Sequence, residues 1–209
     1  MKPGQVFYDI GANIGVYTII AARQIAPGGK VYAFEPHGAN FSRLSDNIAL
    51  NHLQGVIIPC NFALHFRDGY YDFRYGSLNA GTSDSQLFNN SNGGINLADD
   101  QIVELKNAVR VDTLLASGLT AFPQHVKIDI DGNEYFVLQG MSSLLSSSDA
   151  PLSIQVELNE PHTDTIIAFL QDRNYQLVKK HLTRSAARRM GQSVKGMHSG
   201  CNAIFKRSH

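Results

Sequence analysis

The sequence predicts an α/β fold: a mostly parallel sheet with helices on both faces and an antiparallel last strand. Three observations predict it. Short β-branched or aromatic runs alternate with segments of helical period along most of the chain. The first run, Val6 to Ile10, stops at Gly11 as a buried parallel strand should. The last apolar run, Ala203-Ile204-Phe205, has only polar and basic residues between it and the preceding strand, so with no crossover helix it returns antiparallel.

After the first strand, Val16, Ile19, Ile20 and Ala22 to Ile25 form one helical face that ends at Pro27-Gly28-Gly29. Val31 to Phe34 is the second strand, and a helix over about Asn40 to Leu53 follows, with Phe41, Leu44 and Ile48 as its apolar stripe. Val56 to Cys60 reads as the third strand, where Pro59 indicates an edge position or the strand's end. From Tyr70 to Asp100 the rhythm is lost. Tyr71 to Tyr75 alternates like a strand and Asn89 to Gly94 is rich in turn residues, so 70–100 is an excursion. Val109-Arg110-Val111 precedes a short helix at Leu114-Leu115. The alternation then resumes: strand Val126 to Ile130, helix Glu134 to Leu145, strand Ser153 to Leu158, helix Thr163 to Arg173 and strand Gln176 to Val178.

The 209 residues suit one domain spanning 1–209, whose folding would bury roughly 70% of the unfolded chain's surface without a disulfide or metal staple. Apolar residues at 43% and charged residues at 17% exclude a disordered or collagen-like chain. Eighteen Lys plus Arg balance eighteen Asp plus Glu, which argues against bulk electrostatic binding to nucleic acid or an anionic membrane. Cys60 and Cys201 belong to no metal-spaced cluster and read as buried free thiols. The first residues contain no signal-peptide core, and no run reaches the roughly 18 apolar residues of a membrane span. A cytoplasmic location is therefore expected.

In an open α/β sheet, ligands bind beyond the carboxyl ends of the strands, so residues there are the candidates for chemistry. The first strand runs into Asp9-Ile10-Gly11-Ala12-Asn13-Ile14-Gly15, where Gly11 and Gly15 permit a tight turn and the next helix aims its amino terminus at a ligand. The dinucleotide fingerprint fails, because Asn13 and Val16 occupy its second and third glycine positions, and no Walker lysine is present. An NAD-dependent enzyme is disfavoured accordingly. The second strand ends at Glu35-Pro36, a carboxylate about 20 residues beyond the glycines, where such folds hold a ribose. Asn61-Phe62-Ala63, at the end of the third, offers an amide and an aromatic ring to an adenine.

Four segments, Asp9 to Gly15, Phe34-Glu35-Pro36, Asn79-Ala80-Gly81-Thr82-Ser83 and Lys127-Ile128-Asp129-Ile130-Asp131-Gly132, stand in the order seen in the FkbM family of methyltransferases, which the chain resembles from Pro3 to about Asn159. The family more often ends the last motif in Val-Glu-Gly; Ile130-Asp131-Gly132 shortens a carboxylate and keeps its charge. The resemblance implies a Rossmann-like class I methyltransferase fold with a seven-stranded sheet, and S-adenosylmethionine as cofactor. It implies that Asp9, Gly11, Ala12, Asn13 and Gly15 form the methionine end of the cofactor site, Glu35 and Pro36 the ribose end, and Asn61, Phe62 and Ala63 the adenine end. Many relatives carry helices before the first strand, whereas this sequence starts almost at it.

The expected reaction is O-methylation of a hydroxyl on a small molecule or glycan; the competing reading is a non-catalytic nucleotide-binding or interaction module of the same fold. An alcohol is a poor nucleophile, and a carboxylate within hydrogen-bond reach can take its proton. Asp129 at the strand end is the first candidate and Asp131 the second, although Asp131 also suits helix capping. Lys127 is expected to reach a carboxylate in a structural ion pair. Asn79 and Ser83, with Glu157 and His162 beyond the next strand, are the expected acceptor contacts. Asp129, Glu157, Asn159 and His162 together resemble a hard-cation ligand set, but a polar substrate rim is the preferred reading and no metal is assigned. The basic residues His181, Arg184, Arg188, Arg189, Lys195 and His198 make 181–200 a basic loop, most simply solvated.

Overall fold

The computed structural model describes residues 1–83, 85–88, 101–182 and 201–208. Its main sheet has seven strands: β1 (Val6–Ile10), β2 (Lys30–Phe34), β3 (Ile57–Cys60), β8 (His125–Ile128), β9 (Ser153–Leu158), β10 (Tyr175–Leu182) and β11 (Cys201–Arg207). The spatial order is β10-β11-β9-β8-β1-β2-β3. β3, β2, β1, β8 and β9 are parallel, and β11 runs antiparallel to both β9 and β10. The predicted antiparallel last strand is present, but it lies inside the sheet rather than at its edge. Pro59 lies on edge strand β3, where a missing N–H costs no ladder bond.

Strand alternation divides the apolar residues between two faces. Phe7, Val31, Ala33 and Ile57 pack with α1 (Val16–Ile25) and α2 (Gly38–Leu50). On the other face Tyr8, Ile10, Phe34, Ile128, Val156 and Phe205 pack with α3 (Val111–Ala116), α4 (Glu134–Gly140), α5 (Ser142–Leu145) and α6 (Thr163–Gln171). The expected single helix over 134–145 is thus two helices separated at Met141. Gly140 lies so close to the 65–66 backbone that a Cβ there would meet His65 O at 2.1 Å. In the second helix Leu44 and Ile48 are buried as expected and Phe41 packs half-buried against them, while Asn40 joins the buried stripe.

A second sheet that was not anticipated as such overlaps the excursion and extends beyond it on both sides. β4 (Ala63–Leu64), β5 (Gly69–Tyr75), β6 (Ser85–Phe88) and β7 (Ile102–Val109) lie in the order β4-β7-β5-β6. Val109 ends β7, and the short helix begins at Val111. The turn-rich 89–94 and all of the basic stretch except His181, which is exposed, lie outside the described residues. Among the described residues no helix is long and apolar enough to cross a membrane.

Candidate active site

The carboxyl ends of β1, β2 and β8 and the inner side of the small sheet enclose a cavity of about 360 Å³, within the range of small-molecule sites. The β1 loop forms its floor. Gly11 has φ 81° and approaches β8 so closely that a Cβ would lie 1.9 Å from Asp129 O, so only glycine fits. The N–H groups of Gly11 and Ala12 both donate to Phe34 O at 3.0 Å, which ties the loop to the end of β2. Asn13, also left-handed at φ 50°, donates its N–H to Glu35 Oε2 at 2.7 Å and its Nδ2 to Thr82 O at 3.1 Å.

Glu35 is buried in the cavity wall, and its Oε1 accepts the His37 N–H at 2.9 Å. Burial pushes its carboxyl up to about 7, against the opposing pull of the His37 and Asn13 N–H groups and the Asn40 side chain. Two residues that sequence reasoning missed support it. Asn40 Oδ1 accepts from Gly81 N at 2.7 Å while its Nδ2 donates to Thr82 O at 3.1 Å. His37 accepts the Asn40 N–H on Nδ1, and its Nε2 lies 3.0 Å from Ser77 O, which fixes the proton on Nε2. The available signal for Asn40 was an amide in line with Leu44 and Ile48 on the buried helix stripe.

At the β8 end, Lys127 Nζ stands 3.0 Å from Asp129 Oδ2 and 3.7 Å from Asp9 Oδ1, which is the expected ion pair with a second carboxylate added. Asp131 is left-handed at φ 57°, and Asn133 stands at the N-cap of α4; Glu134 Oε1 accepts the N–H groups of Gly132 and Ile130. Gln86 Nε2 donates to Asp131 O at 2.8 Å, and this bond ties β6 to the 130s loop.

Of the residues chosen from sequence, the wall comprises Gly11, Ala12, Asn13, Glu35, Pro36, Phe62, Ala63, Ser83, Asp129 and Asp131. Tyr17, Phe73, Leu87 and Asn133 complete it without having been anticipated. Asp9, Gly15, Asn61, Asn79, Glu157 and His162 stand outside the wall. Gly15 caps α1, and Asn61 Nδ2 donates to Glu35 O. The Asn79 backbone closes a turn with Thr82 Oγ1. Glu157 accepts from Asn159 Nδ2 at 3.0 Å; burial first, then the Asp129 charge, raises its carboxyl to about 7. His162 stacks on Tyr135 and meets Phe136 edge-on. Among the described residues no group of His, Cys, Asp and Glu stands ready to hold a metal ion.

Residues 9–177 match the methyltransferase FkbM domain. The chain belongs to the FkbM methyltransferase family. It is similar to the hexuronic acid methyltransferase AglP of Haloferax volcanii, with 30% identity over 142 residues, 68% of this chain and 52% of the relative. It is also similar to the 31-O-demethyl-FK506 methyltransferase FkbM of Streptomyces tacrolimicus, with 37% identity over 60 residues, 29% of this chain and 23% of the relative. Among solved structures, methyltransferase FkbM from Methylobacillus flagellatus KT superposes with a TM-score of 0.64 at 14% identity, over 98% of this chain and 44% of that one. That likeness shows the shared fold. The chain spans about half the length of AglP and under a quarter of the Streptomyces tacrolimicus relative.

Proposed function

We propose that the protein is an S-adenosylmethionine-dependent O-methyltransferase acting on a hydroxyl of a sugar or other small molecule. The observation that carries this reading is one cavity wall holding both Glu35, beside the glycine loop, and Asp129, at the next strand end. The residues fit the cofactor chemically. Each Glu35 oxygen accepts one backbone N–H and keeps lone-pair capacity for ribose hydroxyls. Phe62 and Ala63 give the same wall an apolar surface suited to a flat base. When bound, S-adenosylmethionine supplies a methyl group on a sulfonium, an electrophile that needs a positioned nucleophile.

The chain's own residues would orient the acceptor and take its proton. Asp129 reaches the cavity as a carboxylate that can accept a hydroxyl proton, while Asp131, Asn133, Thr82 and Ser83 offer hydrogen bonds suited to a polyhydroxylated acceptor. The names of the two relatives, a hexuronic acid methyltransferase and a 31-O-demethyl-FK506 methyltransferase, support this class. Two buried free thiols, Cys60 and Cys201, suit a reducing cytoplasm. The test is calorimetric titration with S-adenosylmethionine, then transfer of labelled methyl to uronic acids, neutral glycans and macrolide alcohols. Absence of binding, or binding with no transfer to any acceptor, overturns the proposal.

A further inference from the structure

Asp9 stands outside the cavity wall, yet it is fully buried and lies one layer behind Asp129. Thr18 donates to its Oδ2, whereas Oδ1 receives no hydrogen bond and faces Lys127 Nζ at 3.7 Å. Lys127 is its register partner on β8. Alternation puts Asp9, Lys127, Asp129 and Glu157 on the same face of the sheet, and Glu157 lies one step past the Ile128–Val156 register pair, beside Asp129. The ammonium therefore sits between a rear carboxylate with no exposed surface and a front one that is 33% exposed, and it lies over the Tyr17 ring at 4.8 Å.

We propose that Lys127 is a positioning residue for the transfer: anchored from behind by Asp9, its ammonium fixes the Asp129 carboxylate at the cavity wall. The inference rests on the reading of Asp129 as proton acceptor. A simple stabilising pair would need only Lys127 and Asp129. The second, deeper carboxylate is costly to bury, and its orphaned Oδ1 shows that its place is set by the cation rather than by a full hydrogen-bond shell. It holds the ammonium from the side opposite the cavity. Burial by itself would weaken the hold of Lys127 on its proton, but Asp9 and Asp129 more than offset it, so the net shift is upward.

Around Asp129 the other titratable groups are acids: Glu157 on β9, Glu134 on α4 and Asp131 on the loop. Burial and the neighbouring Asp129 charge raise the Glu157 carboxyl to about 7, while the 3.0 Å ion pair with Lys127 sets a cation directly against Asp129. Without the cation, Asp129 would stand among acids with no opposite charge beside it.

The experiment pairs Lys127→Met with Asp9→Asn, so that no buried charge is left unmatched, and uses Lys127→Arg as the charge-retaining control. The Asp129 carboxyl is followed by its carbon-13 signal against pH, and the acid limb of turnover is recorded in parallel. In the double variant both should move up by about one pH unit or more; in Lys127→Arg both should stay near their native positions. A native-like titration and limb in the double variant overturn the proposal. Should that variant fail to fold, Lys127→Gln alone decides: its Asp129 signal and acid limb should also move up by about one pH unit or more, and native-like positions overturn the proposal. If no acceptor is turned over, the proposed function falls while the carboxyl titration still decides the role of Lys127.

Discussion

The two walls of the cavity are built differently. On the main-sheet side, Gly11, Glu35 and Asp129 come from the ends of adjacent parallel strands; backbone N–H groups hold Glu35, and the buried Lys127–Asp9 pair stands behind Asp129. On the small-sheet side, 81–82 and Leu87 are attached through the backbone: Thr82 O accepts from Asn13 and Asn40, Gly81 N donates to Asn40, and Leu87 O faces Asn133. Around those attachments the second wall is partly open to water, with Gly81 and Ser83 exposed and Thr82, Ser85 and Leu87 half-buried. Chemistry that needs fixed geometry stands on the rigid wall. The other wall can vary in sequence while its carbonyls stay in place. Changes on the main-sheet side should therefore cost most.

The largest expected effect is at Asp129. Asp129→Asn keeps the shape but removes the basicity, so single-turnover methyl transfer should fall about 10²-fold or more while cofactor affinity changes little. Retained turnover would reduce the rigid wall to a scaffold.

Next is Glu35. Losing a charge-assisted contact costs about 1.5–3 kcal/mol, so Glu35→Ala should weaken S-adenosylmethionine binding at least about tenfold by calorimetry. The carboxyl also predicts a pH dependence. Its ordinary value is 4.5 and its folded value about 7, so between the two the folded chain holds a proton that the unfolded chain has released. Stability should fall as pH rises from about 4.5 to about 7, by up to about 3 kcal/mol from this residue, and Glu35→Gln should remove that part of the slope. Ribose hydroxyls donate to the anion, so affinity should rise through about pH 7 in the native protein and stay flat in Glu35→Gln.

The same contrast explains what the sequence discloses. Val6 to Ile10 and Ser153 to Leu158 appear with the expected bounds because a buried parallel strand writes continuous or cleanly alternating apolar residues. β7 reads Ile102-Val-Glu-Leu-Lys-Asn-Ala-Val109 and buries only Ala108, so its weak pattern gave no signal. Glu35 is legible because strand end, spacing and charge all mark it. Asn40 and Tyr17 are not, because their roles depend on a helix turn facing a segment 40 or more residues away.

A smaller effect is expected where the walls join. Asn40→Ala removes two hydrogen bonds to the 81–82 backbone, each worth about 1 kcal/mol, while Asn13 still holds Thr82 O. Cofactor release in stopped flow should accelerate roughly threefold to tenfold, with faster hydrogen exchange at Gly81 N–H. Unchanged release would mean that the second wall closes without this latch.

The smallest effect separates recognition from architecture within the second wall. Ser83 lines the cavity, whereas Asn79 is exposed, stands outside the wall and takes part in its turn through backbone N–H and carbonyl. If the wall recognises the acceptor through hydroxyls, Ser83→Ala should raise the acceptor KM about threefold to tenfold, the worth of one hydrogen bond, with melting temperature and cofactor affinity nearly unchanged. Asn79→Ala deletes only the side chain and keeps both backbone bonds of the turn, so its effect should be smaller. A larger loss at Asn79 than at Ser83 would show that the acceptor approaches over the outer surface of the turn. A matching drop in melting temperature for both would make 79–83 a structural tie between the sheets.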